Sequence, residues 1–292
     1  MSLPFAILGA GREIGRLFGI RITVNGTFLP MAALLTLMFA LSMPLPFVAA
    51  LPLGAAFTFL VYGSVLLHEL GHALTARVYG IRTRAITLHL LGGVAAIEGE
   101  PRRPSEEILI AAAGPAVSFL LAMALGVPPL VAIFLGASPA LVAILAWPAT
   151  VNLGLAIFNL LPGLPLDGGR ILRGVLWAWR GDRISATLAA ARAGEFLGWG
   201  LIGLGALSIL GIVAFGGLWT VLIGWFVLSA ARHEKRSALM QRLGAPMSLE
   251  ELFGRLSRSM FQSRPLDRRD AEEEDEVVRF PDGREVWVRR RR

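Results

Sequence analysis

Cysteine is absent from the 292 residues of this chain, and charged side chains are scarce. The lack of cysteine excludes disulfides and thiolate metal sites. Charged residues make up 17% of the chain and hydrophobic residues 55%. A soluble domain of this length would carry about 25% charged residues. The deficit is therefore typical of a membrane protein.

The missing charges leave long apolar windows along the chain. A membrane-spanning helix needs about 20 mostly apolar residues. We therefore predict an all-α polytopic membrane protein with about six transmembrane helices, at 28–44, 53–79, 106–136, 139–162, 186–213 and 217–232. No small-residue cleavage pattern closes a short hydrophobic region near the N-terminus, so a signal peptide is not predicted.

Basic residues fall on one side of this arrangement. The connections at 45–52, 126–140 and 213–217 contain no charged residue, and every Lys and Arg lies in the alternate segments or at their edges. Because positive residues favour the cytoplasmic side, both termini are predicted to be cytoplasmic. The predicted location is the cell membrane, as a multi-pass protein of the inner membrane of a prokaryote. The net charge of +7 is accordingly attributed to cytoplasmic loops and not to nucleic-acid binding.

Two segments between the apolar windows favour β-strands. Residues 20–24 alternate cleanly, and residues 81–97 mix β-branched and apolar side chains with polar ones. They predict a small β element on the cytoplasmic face. The chain then divides into a cytoplasmic N-terminal segment at 1–27, a membrane domain at 28–232 that includes the strand loop at 80–105, and a cytoplasmic tail at 233–292.

The tail is predicted to contain three elements. A capping box at Ser248 and Glu251 opens an amphipathic helix, an acidic linker occupies 264–276, and a hairpin spans 277–288. Its role stays open among a membrane-surface anchor, a solvated tail and an autoinhibitory or partner-binding hairpin.

The second apolar window contains the motif His68-Glu69-Leu70-Gly71-His72. Residues four apart share one face of a helix, so both imidazoles can bind one metal ion, and Glu69 is placed to act as a general base. Polar residues of this kind are costly to bury in lipid. A functional site is therefore favoured over a packing role.

A catalytic zinc site needs a third protein ligand. His233 lies among charges after the last apolar window and His89 lies in the strand loop, so neither is favoured. Asp167 follows a helix end broken by Pro162 and Pro165, where non-helical backbone at membrane depth can line a cavity. Since spans two and four both end on the cytoplasmic side, Asp167 can reach the same ion as the histidines.

The two motifs together resemble the site-2 protease family of intramembrane zinc metalloproteases. The resemblance covers about residues 15–232. It rests on His68-Glu-Leu-Gly-His72 and on Asn159-x-x-Pro162-x-x-Pro165-Leu-Asp167-Gly168-Gly169-Arg170, with support from Ala113-Gly114-Pro115 and from Leu91-Gly92-Gly93. It implies cleavage of a peptide bond within or near the transmembrane segment of a single-span membrane protein, such as an anti-sigma factor.

The resemblance also implies a role for each matching residue. One zinc ion per chain would be bound by His68, His72 and Asp167, with Glu69 as the general base. Asn159 would stabilise the oxyanion, and Gly92, Gly93 and Val94 would bind an unwound stretch of substrate.

Two departures from the family pattern concern regulation. The chain lacks an inserted PDZ domain and is similar to the compact branch, whose members often carry CBS domains, yet its tail of about 60 residues is too short for a CBS pair. Asn25 stands where many relatives have a histidine.

Two other functions stay open on sequence alone. A membrane metalloprotease of the prenyl-protein protease type also has this histidine motif, but takes a Glu on a later helix as third ligand. A non-catalytic metal-binding or transport protein would need neither Glu69 nor Asn159.

Overall fold

The structure is a computed structural model that describes residues 12–89, 92–213, 216–243, 275–279 and 285–289. The chain forms two compact units, Met1–Leu243 and Gly244–Arg292. The described part of the first unit contains seven helices and one four-stranded sheet.

The helices follow the apolar windows with one addition. They are α1 (Phe28–Ser42), α2 (Phe47–Val78), α3 (Pro104–Phe134), α4 (Pro139–Asn159), α5 (Asp167–Arg180), α6 (Arg183–Ile209) and α7 (Gly217–Arg242). By length and apolar composition, α2, α3 and α4 could each cross a membrane, while α1 is apolar but shorter. The prediction of a mainly helical membrane protein with a small β element is confirmed, whereas a count of six spans is not established.

Helix α5 is the addition. The prolines predicted non-helical backbone at Asp167, but this prediction is wrong: the break between α4 and α5 covers only 160–166, and Asp167 is the first residue of α5. This helix alternates arginines with apolar residues and has an amphipathic pattern. A search for uniformly apolar windows therefore passes over it.

The sheet consists of β1 (Arg12–Leu17), β2 (Ile20–Val24), β3 (Arg82–His89) and β4 (Gly92–Glu98), in that order. Neighbouring strands are antiparallel except β2 and β3, which pair in parallel. The sequence predicted strands at 20–24 and 81–97, and it missed both β1 and the division of 81–97 into two strands.

The sheet packs against α2 beside the histidine motif. Ile20, Ile22 and Ile86 form a buried cluster with Leu70 and Ala73 of α2. The strand loop is thereby fixed to the helix that carries both histidines.

The break between α4 and α5 packs against α6. Leu164 is 2% exposed and lies in a cluster with Ala190 and Ala191. Its backbone N–H donates to the carbonyl of Ala190 at 3.2 Å. This contact fixes the point from which α5 begins, and with it the position of Asp167.

The second unit contains an antiparallel strand pair, β5 (Asp275–Arg279) and β6 (Glu285–Arg289). The pair lies where the sequence predicts a hairpin. The amphipathic helix expected from Ser248 and most of the acidic linker lie outside the described residues.

Candidate metal centre

Three potential metal ligands converge where α2 meets the start of α5. Oδ2 of Asp167 lies 3.1 Å from Nε2 of His68 and 3.2 Å from Nε2 of His72. The two Nε2 atoms are 3.2 Å apart. All three side chains are buried, and within the described part of the chain they form a group able to hold a metal ion.

The spacing of these atoms fits zinc. Zinc bound to nitrogen and carboxylate oxygen at about 2.0–2.1 Å in a tetrahedron separates neighbouring ligand atoms by about 3.3 Å. The three separations of 3.1–3.2 Å are close to that value. Two imidazoles and one carboxylate also leave the fourth position for water, as a catalytic zinc site requires.

Helix α3 orients both imidazoles. Nδ1 of His72 donates to the backbone carbonyl of Ile110 at 2.7 Å, and Nδ1 of His68 lies 2.9 Å from Oγ of Ser118. A carbonyl can only accept, so in a neutral His72 the proton is on Nδ1 and Nε2 is free to bind metal. Neither partner was predicted from the sequence. A backbone carbonyl leaves no trace in the sequence, and Ser118 is a lone hydroxyl in an apolar helix.

Gly114 allows α3 to approach the histidines. A Cβ atom added there would lie 2.2 Å from Nε2 of His72 and 2.7 Å from Nε2 of His68. No side chain other than hydrogen fits this position. The short distance to the imidazoles therefore explains the glycine in the Ala113-Gly114-Pro115 segment.

Two further glycines hold Asp167 in place. A Cβ atom at Gly168 would lie 2.1 Å from the carbonyl oxygen of Leu160, and one at Gly169 would lie 2.2 Å from the carbonyl carbon of Gly163. The start of α5 is therefore pressed against the preceding break. Nη1 of Arg170 lies 3.8 Å from Oδ1 of Asp167 and adds a positive charge beside the carboxylate.

Glu69 lies beside the strand loop. A Cβ atom added at Gly93 would come within 2.7 Å of Cγ of Glu69, so the backbone of β4 touches this side chain directly. Val94, the next residue of β4, is 47% exposed. The structure thus brings the predicted general base and the predicted substrate-binding strand together.

Asn159 makes a hydrogen bond within its own helix, and His89 lies in the sheet. Nδ2 of Asn159 donates to the carbonyl of Leu155 in its own helix at 3.0 Å. His89 is half-buried in β3, where burial lowers its pKa. Among the described residues, His89 does not belong to the potential metal group.

Comparisons with known proteins agree with this geometry. The sequence model of peptidase family M50 matches residues 56–132 and 127–199. The solved structure of a site-2 protease from Methanocaldococcus jannaschii covers 77% of this chain and 95% of its own, with a TM-score of 0.53 and 29% identity. The chain belongs to peptidase family M50, the site-2 protease family. Zinc is the metal of this family, and the donor set described above fits it.

Two curated relatives carry the name "Putative zinc metalloprotease". One is sll0528 of Synechocystis sp., 37% identical over 82% of this chain and 63% of its own. The other is Rip3 of Mycobacterium tuberculosis, 41% identical over 80% of this chain and 60% of its own. This chain spans about three fifths of the length of these relatives.

The close contact at Gly114 predicts a loss of metal binding in Gly114→Ala. The added methyl group would displace both imidazoles, and we expect zinc affinity to fall at least about tenfold, in the range of changes that disturb ligand orientation. The measurement is a competition titration of purified protein with a chelator. Gly126→Ala on the same helix is the matched control, since a Cβ there meets nothing within 4 Å. Equal zinc affinity in the two variants would contradict the prediction.

Proposed function

We propose that this protein is an intramembrane zinc metalloprotease that hydrolyses a peptide bond within or near the transmembrane segment of a single-span membrane protein. The observation that carries the proposal is the buried group of His68, His72 and Asp167. Its donor atoms have the spacing of a tetrahedral zinc site, and both histidines lie on a helix long and apolar enough to cross a membrane.

Glu69 is the proposed general base. When bound, zinc lowers the pKa of its water to about 7 and polarises the carbonyl that is attacked. The Glu69 carboxylate accepts a proton from the attacking water and then delivers it to the nitrogen of the leaving amine. Its place next to the first ligand in the sequence and its contact with β4, the strand proposed to hold the substrate, support this role.

Asn159 is the proposed donor to the oxyanion that forms on the substrate carbonyl. It is the last residue of α4, immediately before the break that leads to Asp167. Its amide already donates to Leu155, so the role requires a rotation of the side chain or use of its second N–H.

Strand β4 is the proposed substrate-binding edge. A peptide bond in a helix is hydrogen-bonded to its own chain, so the substrate must unwind, and lipid offers no partners for the freed groups. An extended segment can instead add to a sheet edge. Strand β4 lies at the end of the sheet order, with no described strand on its outer side, and Gly92, Gly93 and Val94 are its first residues.

We also propose six spans with both termini in the cytoplasm. Helices α6 and α7 have 27 and 26 residues, and at 1.5 Å per residue each is about 40 Å long, more than a bilayer core of about 30 Å. Their charged residues, which keep them outside the set of helices apolar enough to span by composition, would lie at the cytoplasmic end. The uncharged connections then lie on the far side of the membrane, and the metal group lies in the cytoplasmic half. The partition into 1–27, 28–232 and 233–292 follows from this topology.

As the substrate class we infer single-span regulators such as anti-sigma factors.

Glu69→Gln is expected to bind zinc normally and to lose at least about 100-fold in cleavage rate, since general-base catalysis contributes ~10²–10⁴. Asn159→Ala is expected to lose ~10²–10³, as for removal of one oxyanion donor. The assay uses a single-span reporter in liposomes with this chain, with zinc content measured in each variant. Mapping of the products should place the cut in the cytoplasmic half of the reporter's span.

Asn152→Ala is the control for Asn159→Ala. This asparagine lies on the same helix, seven residues before Asn159, and donates to Oγ of Ser64. Asn152→Ala should lower the thermal stability of the protein, while the folded fraction should cleave the reporter at close to the wild-type rate. Cleavage at the wild-type rate by Glu69→Gln would contradict the proposed function.

Val94→Pro is expected to depress cleavage while zinc content stays at the wild-type level. Proline removes a backbone N–H and disturbs the strand, but Val94 is not one of the three proposed ligands. Val94→Ala, which keeps the N–H, is the matched control and should cleave at close to the wild-type rate. Unchanged cleavage in Val94→Pro would rule out β4 as the substrate edge.

A further inference from the structure

Glu107 is a fully buried carboxylate outside the metal group. It lies in the first turn of α3 and is 0% exposed. Its Oε1 accepts from Nε of Arg173 on α5 at 2.6 Å and is also in contact with Nη2 of the same guanidinium. A charge at this depth is costly without a partner. The pair therefore ties α3 to α5.

The position of Glu107 on α3 connects it to the metal group. Glu107, Ile110, Gly114 and Ser118 follow one another at spacings of three and four residues, which places them on one face of the helix. Three of these positions contact the histidine rings. Glu107 lies on the same face, one turn nearer the start of α3, and it contacts α5 instead of the histidines.

Arg173 lies six residues after Asp167 on α5, about 9 Å along the helix axis. The ion pair thus fixes the helix that carries the third ligand to the helix that orients the first two. Where the pair sits, α3 and α5 are in close contact, since a Cβ atom at Gly174 would lie 2.6 Å from Cγ1 of Ile108. A shift of one helix along the other would disturb both this close contact and the ion pair.

A second arginine near Glu107 contributes less to this link. Nε of Arg183 is 3.8 Å from Oε2 of Glu107, beyond hydrogen-bonding distance, and Nη1 of Arg183 pairs with Glu100. Arg183 adds positive charge near the carboxylate, whereas Arg173 supplies the directional contact.

A buried ion pair is a poor device for stability alone, because apolar residues of similar size often stabilise a fold as well. A guanidinium has a planar, directional set of donors, so it can fix one arrangement of two helices. We propose that Glu107 and Arg173 are positioning residues that set the register of α5 on α3, so that the carboxylate of Asp167 reaches the two imidazoles. This inference rests on the proposed role of Asp167 as the third metal ligand.

The test is the zinc affinity of full-length protein in detergent, measured by competition with chelators of graded strength. Glu107→Gln and Arg173→Gln are expected to lower the affinity about tenfold, as for other residues that orient metal ligands. Asp167→Ala should lower it further. In the double variant Glu107→Gln/Asp167→Ala the affinity should equal that of Asp167→Ala, because Glu107 acts only through Asp167.

Glu195→Gln is the matched control. Glu195 forms an ion pair with Lys235 at 2.9 Å that links α6 to α7, and neither helix carries a metal ligand. The zinc affinity of Glu195→Gln should stay within about twofold of the wild type, since losses of about tenfold or more arise where the orientation of a metal ligand changes.

Wild-type affinity in Glu107→Gln would overturn the positioning role, and so would an equal loss in the presence and absence of Asp167. If Glu107→Gln does not fold, Arg173→Lys serves instead, because it keeps the charge and loses the planar contact. The proposal would be supported if Arg173→Lys lowers the zinc affinity of the otherwise wild-type protein but has no further effect in the Asp167→Ala background. An unchanged zinc affinity in Arg173→Lys would overturn it. Wild-type affinity in Asp167→Ala itself would contradict the metal assignment and the proposed function together.

Discussion

Two imidazoles on an apolar helix need polar partners that lipid cannot supply, and α3 provides those partners. The carbonyl of Ile110 and the hydroxyl of Ser118 each engage one Nδ1 atom, which directs both Nε2 atoms to the same point. The contact is possible because α3 has no side chain at Gly114, where any Cβ would collide with the rings. The geometry of the metal group thus depends on how closely two helices approach.

The third ligand depends on a different kind of constraint. Asp167 begins α5 directly after a short break, and its carboxylate must reach the two imidazoles from there. The contact of Leu164 with α6, the absence of side chains at Gly168 and Gly169, and the buried pair of Glu107 and Arg173 each restrict that arrival. Contacts with α3 and α6 therefore hold Asp167, which lacks the conformational freedom of a loop residue.

The sequence predicted His68, His72 and Asp167 together because their signals are local. A four-residue spacing places two imidazoles on one helix face, and prolines mark the break before the carboxylate. Helix α5 was missed because its arginines hide it from a search for apolar windows. Glu107 and Ser118 were missed for another reason: a polar residue on a long helix acquires meaning only when its partner helix is known. Strand β1 was not predicted either, since its residues are all exposed and leave no buried face to recognise.

The central claim is that one zinc ion is bound by two histidines and one aspartate. X-ray absorption spectroscopy at the zinc edge of purified protein tests it most directly. We expect four nitrogen or oxygen ligands at about 2.0–2.1 Å, two of them imidazoles. In Asp167→Ala we expect one oxygen ligand to change while the imidazole signal is retained. A third imidazole in the wild-type spectrum, or a spectrum unchanged in Asp167→Ala, would contradict it.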